Sequence, residues 1–306
     1  MSIFKKIFNK KKILVTHGGT FHVDDLFSTA SLSILNEGRV KIIRIKDTDI
    51  VEKADYVYDI GKIYNPQKGL FDHHQKGGPV RDDGIPYSAF GLIWKEYGEL
   101  ICGSKEVADR IEKRIVVPID AEDNGVDIYK NIFDNVYPYV AGDVFKSEAP
   151  TWKEDFKTID RIFKRELKKI IQLLKREIKV AQDDIEGIKI ILESYSESQD
   201  KRIVILSRNL PRYLYQETLS YLTEPIYIIL PDASRNKWKV ESIRKNSSTK
   251  ESRKPFPESW RGEVDIEKLK DISGVSDITF CHRNGFLIGS GSKEGAIALA
   301  QKALIA

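Results

Sequence analysis

Four of the chain's five histidines fall in two short stretches, and this concentration constrains the fold more than any other feature. His17 and His22 lie in Ile13-Leu14-Val15-Thr16-His17-Gly18-Gly19-Thr20-Phe21-His22-Val23-Asp24-Asp25. His73 and His74 lie in Gly69-Leu70-Phe71-Asp72-His73-His74-Gln75-Lys76-Gly77-Gly78. Adjacent imidazoles beside a carboxylate supply nitrogen and oxygen ligands in one turn, which suits a borderline metal ion. A His-His pair alone is weak, because such pairs also occur on solvated loops. Two clusters of a rare residue type, each beside aspartates, argue for one shared site. The fold must then bring the two stretches together.

The pattern around them predicts how. Ile13 to Thr16 is a short apolar run that reads as a buried strand delivering the His17-Gly18-Gly19 loop. A helix is expected from about Asp24, with Leu26, Ala30, Leu32 and Leu35 toward the core and Asn36-Glu37-Gly38 as its stop. Lys41 to Ile45 and Ala54 to Ile60 read as strands, the second ending on Asp59. Strand, helix, strand, strand opens an α/β sheet, in which ligands gather outside the carboxyl ends of strands. Tyr87 to Tyr97 reads as a helix capped by Gly98, and Ser88 could cap its start or meet a phosphate there. From Ser104, Val107, Ala108, Ile111, Ile115 and Ile119 recur at helical spacing into Asp120-Ala121-Glu122-Asp123. If the helix continues past Pro118, Asp120 and Asp123 share a face.

Thr151 to Gly187 is a charged amphipathic helix with a stripe from Ile159 to Ile178. A second α/β pattern follows, with strands at Arg202 to Leu206, Ile226 to Leu230 and Trp238 to Ile243, a helix at Arg212 to Leu222, and a polar loop at Asn246 to Pro257. The glycines of Phe280 to Gly295 precede an Ala-rich helix ending near Leu304. Such a turn can cradle an anion or simply connect elements. The expected organisation is a basic tail at 1–12, a catalytic domain at 13–150, a helical connector at 151–195 and a smaller α/β domain at 196–306.

Composition narrows the class. With 306 residues, 41% of them apolar, the chain can bury a large core and favours two domains. Cys102 and Cys281 form no Cys-x-x-Cys pair and no disulfide framework, so the cytoplasm or another reducing intracellular compartment is expected. No stretch is long and apolar enough for stable membrane insertion, and the lysine-rich start reads as a frayed tail, with a membrane-surface or transit role as the other reading. The net charge is +4, but residues 201 to 254 alone carry +7, leaving about −3 for the rest. A basic region beside an acidic site suits a phosphate-bearing ligand, and a solvated face is the competing reading.

His17, His22, Asp24, Asp59, His73 and Asp123, with Asp120 as the alternative to Asp123, are enough for two divalent cations. Two such ions about 3.5–4 Å apart activate water and hold both oxygens of a phosphoryl displacement. Asp59, ending a strand amid the cluster, is the expected bridge. A structural zinc would need four closed ligands and usually thiolate, and both cysteines lie elsewhere. The oxygen-rich set with imidazoles favours Mn2+, with Mg2+ as the alternative.

These motifs, with Asp59-Ile60-Gly61, Pro86-Tyr87-Ser88-Ala89-Phe90-Gly91, Asp120 to Gly125 and Phe280-Cys281-His282 to Gly295, resemble the Myg family of metal-dependent hydrolases, allied to the DHH phosphoesterases. The resemblance covers nearly the whole chain in order. It implies a two-domain α/β architecture, mainly parallel in its first sheet, and a 3′-to-5′ exonuclease acting on RNA or another single-stranded nucleic acid. It further implies that His17 and His22 bind one metal, that Asp24, His73 and Asp123 bind the other, and that Asp59 bridges them. Asp72 would orient a neighbouring histidine and His74 would face the phosphate. His282, Arg283, Gly289, Gly291, Arg244 and Lys245 are the expected substrate contacts. A phosphatase or pyrophosphatase of the same chemistry and a non-catalytic nucleic-acid-binding or regulatory protein are the alternatives. Asp25 is expected to matter less if it points away from the metals, and a homo-oligomer is left open.

Overall fold

A computed structural model describes residues 10–45, 53–232 and 237–306. Most of the basic tail, residues 1–9, and Arg235 of the basic segment lie outside the described residues. The chain forms two compact units, divided after Gln182.

In the first unit, β1 (Lys12–His17), β2 (Val40–Ile45), β3 (Tyr56–Tyr58), β4 (Tyr64–Asn65) and β5 (Leu70–Phe71) form one sheet in the order β2-β1-β3-β5-β4. All its pairings are parallel except that of β4 with β5. The alternation of side chains along a strand sends Leu14 to one face, with Leu32, Tyr58, Phe71 and Leu92, and Val15 to the other, with Ile45 and Val57. Parallel strands covered on both faces need to be apolar nearly throughout, which is what Ile13-Leu14-Val15 supplies.

Helix α1 (Val23–Leu35) is buried on every side from Val23 to Ser33, not only along the expected Leu26–Ala30 stripe. Its small polar residues make this feasible, since Thr29 and Ser33 return their hydroxyl protons to carbonyls one turn back, at 2.6 Å each. Helix α2 (Ala89–Cys102) starts at Ser88, whose Oγ accepts from the Phe90 amide, and runs through Gly98 to a left-handed cap at Gly103. Gly98 is therefore interior to the helix. A side chain there would strike the Trp94 indole at 2.8 Å, so the glycine answers to packing and not to a helix end.

Helix α3 (Lys105–Ile111) passes through a π turn (Glu112–Val116) into α4 (Val117–Asp123). Pro118 has no N–H for the carbonyl four residues back, and the wider turn just before it lets the helix continue. After α5 (Ala141–Lys146) comes α6 (Ile159–Glu197), a helix of 39 residues that passes Gly187 and belongs partly to each unit. The expected stripe is buried at Ile159, Phe163, Leu167, Ile170, Leu174 and Ile178. Among the described residues no helix is long and apolar enough to cross a membrane.

The second unit carries β6 (Ile203–Ile205), α7 (Arg212–Ser220), β7 (Tyr227–Asp232), β8 (Lys237–Ser242), α8 (Ile266–Ser273), β9 (Ile278–Cys281), β10 (Leu287–Ser290) and α9 (Lys293–Ile305). Its sheet order is β6-β7-β8-β10-β9, and only β6 and β7 pair in parallel. Tyr227, Ile229, Val240 and Ile288 face one core, and Val204, Ile228 and Leu230 face another.

Candidate metal centre

Three loops at carboxyl ends of the parallel strands, with the end of α4, bring the ligand-type side chains together. His17 closes β1, Asp59 follows β3 and Asp72-His73-His74 follows β5. The turn after β1 is tight: the Gly18 amide bonds the Ile45 carbonyl at 2.5 Å, and a Cβ at Gly18 would lie 3.2 Å from that backbone. Arg44, its side chain 4% exposed, clamps the turn by bonding the Gly19 carbonyl at 2.8 Å while stacking 4.5 Å from the Phe163 ring centre.

Asp59 is the hub. Its Oδ2 lies 3.1 Å from His17 Nε2, and its Oδ1 lies 3.4 Å from His73 Nε2 and 3.7 Å from His74 Nδ1. It adopts a left-handed backbone, φ 56°, which a non-glycine residue sustains at a cost of about 1–3 kcal/mol when its surroundings demand it. Burial disfavours its charge, but hydrogen bonds from His17 and His73 outweigh burial and hold its carboxyl well below the usual range.

Donor atoms approach closely enough to share an ion in three sets: Asp59, Asp72, His73 and His74; His17, His22 and Asp59; and His22, Asp24 and Asp123. His22, at the N-cap of α1, belongs to two of them. Asp24 is fully buried in the first turn of α1, and neither of its oxygens has a well-aligned hydrogen-bond donor among the described residues; the Asp25 amide is the nearest compensation. Burial pushes its carboxyl well up, and the charges of Asp59, Asp123 and Asp25 push it further. Buried carboxylates are ordinarily paired or coordinate metals. The donors are imidazole nitrogens and carboxylate oxygens without a thiolate, a set that could hold a metal ion.

Asp123 meets His73 Nε2 at 3.2 Å and is raised by burial, partly offset by the His73 charge. Asp120 does not join them, although it lies one turn earlier on the same helix. Its carboxylate accepts from Ser88 Oγ at 2.5 Å and the Gly91 amide at 3.1 Å, and pairs with Arg81 at 2.6 Å. Burial still pushes it up to about 6. A Cβ on Gly91 would lie 1.9 Å from Asp120, so Ser88-Ala89-Phe90-Gly91 is the seat of this carboxylate. Ser88 thus caps its helix and anchors α4.

Asp72 is 1% exposed. Its Oδ2 accepts from the Lys62 amide at 2.5 Å, and its Oδ1 lies 2.8 Å from His74 Nδ1. The histidine it orients is therefore His74, whose side chain is half exposed. The conditional expectation for Asp25 also changes. It is buried with Oδ2 at 2.8 Å from His17 Nε2, and the same oxygen accepts from the His22 amide at 3.3 Å. Burial draws His17 toward its neutral form, but Asp25 and Asp59 together prevail and push it up to about 10. The signal for Asp25 was present as a carboxylate three residues after an N-cap, the spacing of a capping box. Arg44 and Arg81 had no such signal, because their partners are distant in sequence.

The expected substrate contacts of the second unit do not form one cluster of cations. Gly289 is inside β10, where a side chain would strike Thr279 and the Phe280 ring at 2.5–2.6 Å. The turn before α9 already holds a carboxylate: Ser292 Oγ donates to Asp277, and the Gly291 amide bonds the Asp277 carbonyl at 2.8 Å. The Ser292 and Gly295 amides bond Ser290 Oγ and Ser292 Oγ, so the amides expected to cradle an anion already have partners within the chain. Lys245 pairs with Glu251 and Arg212 with Glu241, acids that the local +7 already nets out, and Arg202 pairs with Asp200 just before that stretch. Arg244 and Lys250 line a cavity of about 400 Å3 with Phe286 and Asn284. His282 accepts from the Asn284 amide at 3.1 Å and packs 4.4 Å from the Phe286 ring centre, and Arg283 beside it is exposed. Both cysteines are buried and free, and burial raises the Cys102 thiol to about 12 and the Cys281 thiol to about 11.

A family model named for the MYG1 exonucleases, described as uncharacterised protein family UPF0160, matches residues 13–304. The chain is 29% identical to the MYG1 protein of Dictyostelium discoideum over 319 residues, covering 95% of this chain and 96% of that protein. It is 26% identical to the MYG1 exonuclease of Rattus norvegicus, covering 94% and 84%, and 28% identical to a MYG1 protein of Saccharomyces cerevisiae, covering 96% of each. The match runs through every strand end that carries a ligand-type residue, and the chain belongs to the MYG1 family.

Proposed function

We propose that this chain is a divalent-metal-dependent phosphodiesterase that removes nucleotides from the 3′ end of single-stranded RNA. The observation that carries this reading is Asp24: a fully buried carboxylate without a well-aligned donor, facing His22 and Asp123, beside a second donor set centred on Asp59. The names of the Rattus norvegicus and Homo sapiens relatives, MYG1 exonuclease, support a nuclease. We further propose kinship with the DHH phosphoesterases on the strength of the Asp72-His73-His74 turn.

His17, His22 and Asp59 would hold one cation, Asp24, His73 and Asp123 the other, with Asp59 shared. When bound, the ions polarise a phosphoryl oxygen and lower the pKa of water. The chain's own residues do the rest. His74 Nδ1–H donates to the Asp72 carboxylate, which fixes the ring and leaves Nε2 as the atom that exchanges a proton with the phosphate or the departing oxygen. The Gly18 carbonyl, 3.2 Å from His17 Nδ1, would orient the ring with Nε2 toward the cation, and Asp25, 2.8 Å from that same Nε2, would stand beside it. Arg44 fixes the Gly19 turn that presents His17. In the second unit, Arg244 and Lys250 would contact phosphates of the strand, and Phe286 would offer a ring face.

The test is elemental analysis of the purified protein, followed by hydrolysis of RNA and DNA oligonucleotides, a mononucleotide and pyrophosphate with added manganese or magnesium. Two divalent ions per chain and stepwise shortening of RNA from its 3′ end are expected. One tightly bound zinc with activity indifferent to chelators would overturn the metal assignment, and preferential turnover of pyrophosphate would replace the strand by a small phosphate ester.

A further inference from the structure

Two cavities in the first unit share Ile119 and Glu122. One, about 220 Å3, opens beside His22, Asp24 and Asp123 and is walled by Phe21 and Phe145. The other, about 390 Å3, runs from Glu122 to Tyr129 and Val140. The two adjoin along Ile119 and Glu122, so the cavity beside the candidate metal centre borders residues 124–140, which contain neither helix nor strand. Irregular segments longer than about 12–15 residues are uncommon in compact domains and usually functional.

This segment displays its aromatic residues. Phe133 is 68% exposed, Tyr137 and Tyr139 are each 71% exposed, and Tyr129 is half exposed. Aromatic rings normally contribute their large areas to cores and interfaces, so several of them presented to solvent in one segment mark a binding surface. Its charge is slightly acidic, with Asp127 and Asp134 against Lys130, so it does not attract phosphates. The uncharged faces of nucleobases are a different matter, because every base stacks on a flat ring whatever its sequence. Adjacency to the cavity at Asp24 and Asp123 selects a substrate strand over a second copy of the chain, which would have no need of a place beside that cavity.

We propose that residues 126–139 form a stacking track for bases of the strand whose end lies at the metal centre, with Tyr129 and Tyr137 as its principal rings. This rests on the phosphodiesterase reading and adds to it the part of the substrate that the first unit reads, namely bases beyond the terminal nucleotide. The track contributes through rings and not through charge. Its removal lowers affinity without altering the salt dependence, which counts phosphate contacts alone.

The experiment compares wild type, Tyr129→Leu/Tyr137→Leu and Tyr129→Phe/Tyr137→Phe. Binding of a fluorescein-labelled 12-nucleotide oligoadenylate is measured in chelator at several salt concentrations, and manganese-supported cleavage of that oligomer is compared with cleavage of a dinucleotide. The leucine variant is expected to bind the oligomer about tenfold or more weakly with an unchanged salt slope, on the scale of one lost stacked base. It should raise KM for the oligomer and leave dinucleotide cleavage intact. The phenylalanine variant should match wild type. Equal binding by the leucine and wild-type proteins overturns the track, as does loss of dinucleotide cleavage in parallel or a phenylalanine variant as weak as the leucine one. A wild-type dimer that the leucine variant turns into monomer would make the segment a self-association face instead. Ring-dependent oligomer binding by a wild type that cleaves no phosphodiester would leave the track standing and remove the phosphodiesterase reading.

Discussion

Asp24 in the first unit and Glu241 in the second are buried acids treated in opposite ways. In the first, Asp24 is fully buried with no well-aligned donor, and the carboxylates of Asp25, Asp59 and Asp123 crowd around it. In the second, Glu241 is 2% exposed yet fully engaged: Arg212 bonds it at 2.6 Å, Tyr215 at 2.7 Å, and Lys239 stands 3.6 Å away. A buried acid with its partners supplied by the chain is part of the scaffold. A buried acid without them costs free energy that only a bound cation or a proton offsets. Sheet type follows the same division. Parallel strands end together and gather their following loops at one edge, whereas the largely antiparallel second sheet distributes its connections over both ends.

The most severe test of this contrast is Asp59→Asn. Both metal sets that centre on Asp59 would be weakened together, and asparagine tolerates the left-handed backbone that Asp59 adopts. Activity is expected to fall by more than about 100-fold, beyond the usual effect of losing an outer partner, with the circular dichroism spectrum unchanged. Wild-type turnover would remove Asp59 from the hub. Asp25→Asn should cost less, about 10–100-fold in activity or metal affinity, because it stands beside His17 Nε2 but belongs to none of the three donor sets. Titration of the variant with manganese while following hydrolysis would read this, and an unchanged manganese requirement would make Asp25 a helix-capping residue alone.

Glu241→Ala probes the other side of the comparison. The buried Tyr215 hydroxyl would lose its acceptor at a cost of about 1–3 kcal/mol, while Arg212, partly exposed, is partly compensated by water. The Tm should fall, and metal content per folded molecule should stay at the wild-type level. Loss of bound metal in this variant would erase the distinction between the units.

The smallest effect concerns Asp120, a paired acid in the first unit. Its folded pKa, about 6, stands above the unfolded value of about 3.9. Its contribution to stability is therefore present in full below the unfolded value and lost as pH rises through 6. The Tm advantage of wild type over Asp120→Asn should shrink between pH 4.5 and pH 7. A difference that is flat across that window, measured by thermal denaturation, would show that Arg81 and Ser88 hold Asp120 ionised throughout.

The strand ends carrying His17 and Asp59 were legible because a short apolar run closed by glycine or a polar residue has few other uses. The gathering of both histidine pairs followed from their rarity and from the parallel pattern. Helix ends were less legible: Gly98 and Gly187 look like stops, yet each is a glycine because Trp94 or Leu214 packs against it. The turn before α9 could be read as an anion cradle or as a connection, and the partners of its amides, the Asp277 carbonyl and two serine hydroxyls, were not legible. The net charge of residues 201–254 was legible, but which cation pairs with which acid was not, since a sum of charges carries no pairing information.

By itself, the sequence determined which imidazole and carboxylate side chains cluster along the chain and the α/β opening of the first sheet, while it left open whether the helix crosses Pro118. Those depend on residue type and on periodicity, which are local properties. Only the tertiary structure decided which acid does what along one short helix. Asp120 and Asp123 are one turn apart and chemically identical, but Ser88, Gly91 and Arg81 surround the first, and His73 with Asp24 meets the second. The role of a carboxylate is set by the donors that surround it after folding, and those donors come from segments that the chain order keeps far apart.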